Sequence, residues 1–154
     1  LVENELKSSP YIQEAVCFGK DKPYVTAILN IDMSSVGRWA DKNRVLYTEY
    51  SDLSRNPKVV ELIEQQVEQL MSKLSPQNRV KKFSILHKQF TADQGELTRT
   101  LKIRRNFVEQ KYKILLDGMY SDTQEVSLTS SQTESVEEEV SLRVIQLKIE
   151  QGVA

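Results

Sequence analysis

The sequence predicts an α+β fold: a small, mostly antiparallel sheet with a β-hairpin, flanked by helices, plus an extended C-terminal tail. Three observations carry this reading. Two β-rich apolar runs, 11–19 and 24–31, stand on either side of a "KDKP" turn. A long stretch beginning at Pro57 repeats its apolar residues at helical spacing. Beyond residue 120 the composition shifts to Ser, Thr, Gln and Glu.

Taken in order, "LVENELKSSP" reads as the end of a helix that Pro10 stops, because proline cannot donate the next backbone bond. "YIQEAVCFG" and "YVTAILNI" are the strands of the hairpin. Asp32 or Ser34 then caps a helix carrying Val36, Trp39 and Ala40 on one side. Residues 47–57 form a short irregular or helical connection. The clearest helix spans 57 to about 74, with Pro57 suited to its first position. Val59, Val60, Ile63, Val67, Leu70, Met71 and Leu74 make its apolar stripe.

"RVKKFSILHKQF" alternates in part and reads as a strand. "TADQGE" is a turn, and "LTRT" a short extended piece. A last helix is expected over roughly 103–117, with Phe107, Val108, Tyr112, Leu115 and Leu116 facing inward. The order is α-ββ-α-α-β-α. Residues 121–135 carry too few apolar groups to offset ordering entropy. "VSLRVIQLKIE" turns apolar again, and its pattern fits either a strand or a helix. The expected units are therefore 1–120 and an acidic extension, 121–154.

Charge and cysteine content narrow the function. The chain has 154 residues and a net charge of −1, so it is no generic polyanion binder. Seven acids against two bases give the extension −5 and leave +4 for residues 1–120. One cysteine, Cys17, excludes an internal disulfide and suits a reducing compartment. It reads as an inert buried thiol. No apolar run reaches the ~18–20 residues of a membrane span. The opening "LVENEL", without Met, reads as a piece of something longer. There is no Gly-rich phosphate loop, no Cys/His metal cluster and no Ser-His-Asp set. The single His87, on a strand-like stretch, reads as a packing or surface residue. Trp39, Tyr47 and Tyr50 read as packing residues. A chain so equipped supplies at most one part of a catalytic site.

That part centres on "GELTRTLKIRRN", residues 95–106. Gly95 and Glu96 mark a loop, and Gly95 is expected either in a turn of positive φ or as a hinge. Lys102 follows, with Arg104 and Arg105 at the first turn of the last helix. On composition alone these are solvated charges, or partners for Glu109.

Six segments in register give more: "ENELKSSPYIQEAV", "PYVTAILNID", "RWADKNRVLYTEYSDLSRNPKV", "VKKFSILHKQF", "GELTRTLKIRRNFVEQKY" and "LLDGMY". Together they resemble the C-terminal domain of AMP-forming long-chain fatty-acyl-CoA synthetases, a branch of the adenylate-forming enzymes. The resemblance covers nearly all of 1–120 and none of 121–154. It implies an enzyme that activates a fatty acid with ATP and then forms the thioester with CoA. It places the adenylation lysine on Lys102. ATP, Mg2+ and CoA would be held mainly by a large N-terminal domain, the principal partner, and none is expected on this chain alone. The isolated chain is expected to be inactive. Arg104, Arg105, Lys81 and Lys82 become candidates for contacts to CoA phosphates or to the large domain; for Lys81 and Lys82 a solvated strand edge is the competing account. The expected location is the cytoplasm or the periphery of a membrane. Self-association through 136–150 is a further expectation. The alternative is a non-catalytic module binding a protein or single-stranded nucleic acid through 79–82 and 99–105 with Phe83 and Phe90. The charge balance and the lack of a known motif weigh against nucleic acid.

Overall fold

The computed structural model describes residues 1–128 and 139–148. Helix α1 (Val2–Leu6) leads to strands β1 (Ile12–Phe18) and β2 (Val25–Ile31). Three helices follow: α2 (Met33–Lys42), α3 (Tyr50–Arg55) and α4 (Pro57–Met71). Strand β3 (Val80–Ile85) precedes α5 (Arg105–Lys111) and α6 (Lys113–Met119). Three short strands close the described chain: β4 (Glu125–Leu128), β5 (Val140–Arg143) and β6 (Ile145–Gln146).

Local chemistry sets several boundaries. Asp32 caps α2, accepting the Ser35 amide at 2.9 Å. Asn56 caps α4, accepting the Lys58 amide at 2.9 Å, with Pro57 at the first turn. Glu49 and Asp52 form a reciprocal capping box at α3.

The main sheet runs β1-β2-β3-β6. β1 and β2 form the expected antiparallel hairpin, while β3 lies parallel to β2, so the sheet is mixed. A parallel neighbour requires a crossover, and α2–α4 supply it. Helices α1 to α4 pack on one face with Ala27, Leu29, Ile31 and Phe83. The other face holds Val16, Phe18 and Ile28 against Leu86, Phe90, α5 and α6. Alternation along β2 therefore feeds two separate cores. In β1 a register shift between Ile12 and Glu14 puts both Ile12 and Ala15 into the first core, although they are three residues apart.

Two expectations change. The helix expected over 103–117 is two helices, broken at Tyr112 (φ −106°, ψ 28°). Tyr112 is fully buried, its ring set edge-on to Phe90 at 6.3 Å, and the break accompanies this inward turn. Ile103 belongs instead to a bridge with Leu97. The second change lies in 121–135. Apolar residues are scarce there, but Val126 and Leu128 fall at alternate positions and both are buried. β5 pairs antiparallel with β4 and adds Val140 and Leu142, so the two strands share one apolar face. That face completes the second core beside α6. Residues 129–135 lie outside the described residues.

The ambiguous stretch from 140 is strand, not helix, over its described part. β6 pairs with β3 through Gln146 and Ile145, and the Ser84 hydroxyl donates to the Arg143 carbonyl at 2.9 Å. Of the segment expected to self-associate, 136–138 and 149–150 lie outside the described residues. Its Val140, Leu142, Val144 and Ile145 are buried within the chain.

Leu142→Ala should lower the unfolding free energy by roughly 2–4 kcal/mol, the usual range for deleting a buried leucine side chain. Chemical denaturation followed by circular dichroism measures this. An unchanged midpoint would mean that β4 and β5 add nothing to the second core.

Candidate functional site

After β3 the chain makes a turn and then a small hairpin. Asn30, buried in β2, anchors the start: its side-chain amide donates to the Lys88 carbonyl at 3.0 Å and its oxygen accepts the Phe90 amide at 2.8 Å. Gly95 has φ +81°, as the turn reading expects, and a Cβ there would lie 2.9 Å from Phe107 Cζ. The hairpin closes by the Leu97–Ile103 bridge. The Thr98 amide donates to the Lys102 carbonyl at 2.8 Å, and the Lys102 amide donates to Thr98 Oγ1 at 3.1 Å. Leu101, at the tip, takes φ 63° while 67% exposed, a left-handed conformation costly for a residue with a Cβ.

Lys102 is exposed, and no ion pair holds its ammonium among the described residues. The hairpin thus presents a cation outward on a backbone whose base is fixed. That base is Glu96. Its side chain is fully buried, 3.3 Å from Lys88 Nζ and 3.2 Å from Lys111 Nζ. Oε1 accepts the Thr91 amide at 3.0 Å, and Oε2 accepts the Tyr112 hydroxyl. The Glu96 carbonyl accepts the Arg104 amide at 2.9 Å. Lys88 also donates to the Gln94 side chain. Burial lowers the Lys88 pKa, Glu96 opposes that shift, and Lys111 adds to it. Two ammoniums therefore lean on one carboxylate. Removing one partner of such a buried pair typically costs about 3–5 kcal/mol.

The other candidates are dispersed. Arg104 donates to the Gly95 carbonyl at 3.0 Å and stacks over Phe107 at 5.0 Å. Arg105 turns toward α1: it pairs with Glu3 at 2.7 Å and donates to the Cys17 carbonyl at 2.6 Å. Glu3 also accepts the Cys17 amide at 2.7 Å. Burial alone would raise the Glu3 pKa, but Arg105 and that amide outweigh it and hold the carboxyl below its usual range. Its contribution to stability is present above the unfolded value near 4.5 and is lost as pH falls through the lowered folded value. Lys82 donates to the Ser121 carbonyl at 2.7 Å and sits over the Tyr24 ring, whereas Lys81 is exposed. His87 is buried, in line with a packing role.

A cleft of about 800 Å³ opens beside the Arg105–Glu3 pair, lined among others by Cys17, Lys22, Glu109, Lys113 and Asp117. Its charges are mixed, so it does not select an anion, and Lys102 lies outside it. Among the described residues no cluster of three or more His, Cys, Asp or Glu could hold a metal ion. No described helix is long and apolar enough to cross a membrane.

Sequence reasoning marked Glu96 as a loop residue and missed its partners. Lys88, Thr91, Lys111 and Tyr112 carry no local pattern that announces a shared carboxylate. The Glu3–Arg105 link, between residues at opposite ends of 1–120, was equally silent.

Two outcomes are expected. Gly95→Ala should destabilise by about 1–2 kcal/mol, because positive φ and the contact with Phe107 act together; a thermal melt measures it. Cys17, pushed up to about 12 chiefly by burial and then by Glu3, should react with iodoacetamide at pH 8 at least ~100-fold more slowly than a free cysteine. Rapid alkylation of the folded chain would contradict that environment.

Comparison with known proteins follows the same lines. The family of AMP-binding enzyme C-terminal domains matches residues 1–124. A long-chain-fatty-acid–CoA ligase of Mycobacterium tuberculosis is 31% identical over 122 residues, covering 79% of this chain and 20% of that protein. A long-chain-fatty-acid–CoA ligase of Gallus gallus is 36% identical over 63 residues, covering 41% of this chain and 8% of that protein. The chain thus spans about a fifth, or less, of the length of these relatives. Among solved structures, the adenylation domain of a carboxylate reductase from Mycobacterium chelonae superposes with a TM-score of 0.59 at 20% identity, covering 79% of this chain and 17% of that one. That likeness extends to the fold. By sequence and by fold, the chain belongs to the AMP-binding enzyme C-terminal domain family.

Proposed function

We propose that the chain is the small domain of a long-chain fatty-acid–CoA ligase and that Lys102 is its adenylation lysine. The observation that carries this is the exposed ammonium of Lys102 on a hairpin rooted in a buried ionic cluster. The ligase relatives support the substrate class.

In this reading a fatty-acid carboxylate oxygen attacks the α-phosphorus of ATP. The bond to pyrophosphate breaks and an acyl-adenylate forms. Negative charge grows on the non-bridging phosphate oxygens, and a fixed cation in a dry site stabilises it. An ammonium on a long stem can reach across a domain boundary to that charge. CoA thiolate then displaces AMP, with a different face of the small domain turned to the site. ATP, CoA and Mg2+ are assigned mainly to the large domain, and the chain alone is inactive. Arg104 and Lys81 remain proposed contacts to CoA phosphate or the large domain. Arg105 and Lys82 could serve there only by giving up Glu3 and Ser121.

The test joins the chain to its large domain and replaces Lys102 with Ala. Adenylate formation should fall by about 10²–10³-fold, the usual loss for one such contact. Thioester formation from supplied acyl-adenylate should survive. Equal loss in both steps would overturn the role of Lys102.

A further inference from the structure

We propose that Glu96 is the positioning residue for Lys102: its buried carboxylate sets how the hairpin leaves the domain, and adenylation depends on it while thioester formation does not. The inference rests on the proposed role of Lys102 and deepens it.

Glu96 is the residue immediately before the hairpin, and it is bonded to the preceding turn, to the end of α5 and to the returning strand. Lys88, 3.3 Å away, belongs to the chain leaving β3. The Thr91 amide, at 3.0 Å from Oε1, belongs to the preceding turn. Lys111, at 3.2 Å, and Tyr112, through its hydroxyl, belong to the end of α5. The Glu96 carbonyl takes the Arg104 amide at 2.9 Å and so holds the returning strand of the hairpin just beyond Lys102. One residue thereby sets the angle between the hairpin and two independent elements. The exposed tip that carries Lys102 contributes little to its own placement. Leu97 and Ile103 pack against the second core, residues 99–102 are exposed, and beyond the Leu97–Ile103 bridge Thr98 and Lys102 share two hydrogen bonds.

Glutamine at 96 would preserve the volume and remove the charge. The ion pairs that Lys88 and Lys111 make with Glu96 would be lost, and the anchor would loosen. A displacement of about 1 Å at a reacting group commonly costs on the order of 10²-fold in rate. Glu96 and Tyr112 are fully buried, so in this proposal their effect reaches chemistry through the placement of Lys102.

The experiment compares Glu96→Gln, Tyr112→Phe and Lys102→Ala in the joined enzyme, and follows amide exchange in the 154-residue chain. Glu96→Gln is expected to slow adenylation roughly 10–100-fold while thioester formation from supplied acyl-adenylate stays within about twofold. The amides of Thr98, Lys102 and Arg104 should exchange at least ~10-fold faster, with those of Val16 and Ile28 unchanged. Tyr112→Phe removes one hydrogen bond, keeps the carboxylate, and should show the same pattern more weakly. Should Glu96→Gln fail to fold, Tyr112→Phe decides alone. Parallel loss of both half-reactions, or faster exchange throughout the sheet, would show that the cluster holds the core and would overturn the inference. Normal adenylation in Glu96→Gln alongside collapse in Lys102→Ala would overturn it and leave the role of Lys102 standing. Intact adenylation in Lys102→Ala would overturn both.

Discussion

A carboxylate with no access to water is tolerable only where cations and hydrogen-bond donors replace the lost hydration. Glu96 meets that condition through Lys88, Lys111, Tyr112 and the Thr91 amide, which come from two separate parts of the chain, 88–91 and 111–112. The loop face of the domain depends on this arrangement. Backbone bonds from Glu96 and Leu97 to the Thr91 carbonyl tie the turn to the hairpin, and the carboxylate links both to the junction of α5 with α6. The same carboxylate accepts the hydroxyl of Tyr112, the residue at which α5 ends, and opposes the loss of basicity that burial imposes on Lys88.

The scaffold face rests on a different principle. Because β3 lies parallel to β2, the chain must cross over between them, and that crossing places α2, α3 and α4 on one side of the sheet. The hairpin that carries Lys102 is left to the other side, where Leu97 and Ile103 pack against the second core. Two cores on opposite faces of one sheet separate stability from presentation. The helical side needs only apolar packing and good caps, while the loop side can hold a strained residue such as Leu101 and an exposed ammonium such as Lys102.

Much of the scaffold was legible in the sequence, because its signals are local. The turn between two apolar runs, the Asp32 cap and the stripe from Val59 to Met71 each lie within a few residues of one another. The positive φ of Gly95 was also legible, since few other residues suit such a turn. What could not be read was non-local. The parallel placement of β3 goes with the helices that cross over between β2 and β3, and the break at Tyr112 goes with its burial beside Phe90 and a carboxylate sixteen positions earlier. Val126 and Leu128 looked too sparse to order a strand, because their partners in β5 and α6 are invisible in local composition. The proposed role of Lys102 comes from the resemblance, and the structure adds that the residue is exposed.

The pairing of β6 with β3 has a consequence for where such a domain can be cut. The family match ends at residue 124, short of β4, β5 and β6. A version trimmed there would leave one side of β3 without a neighbour, its amides and carbonyls open to any passing strand. Unguarded sheet edges of this kind recruit other chains and lead to aggregation. In this chain, a two-residue strand held by the Lys81 carbonyl and the Ser84 hydroxyl acts as the guard.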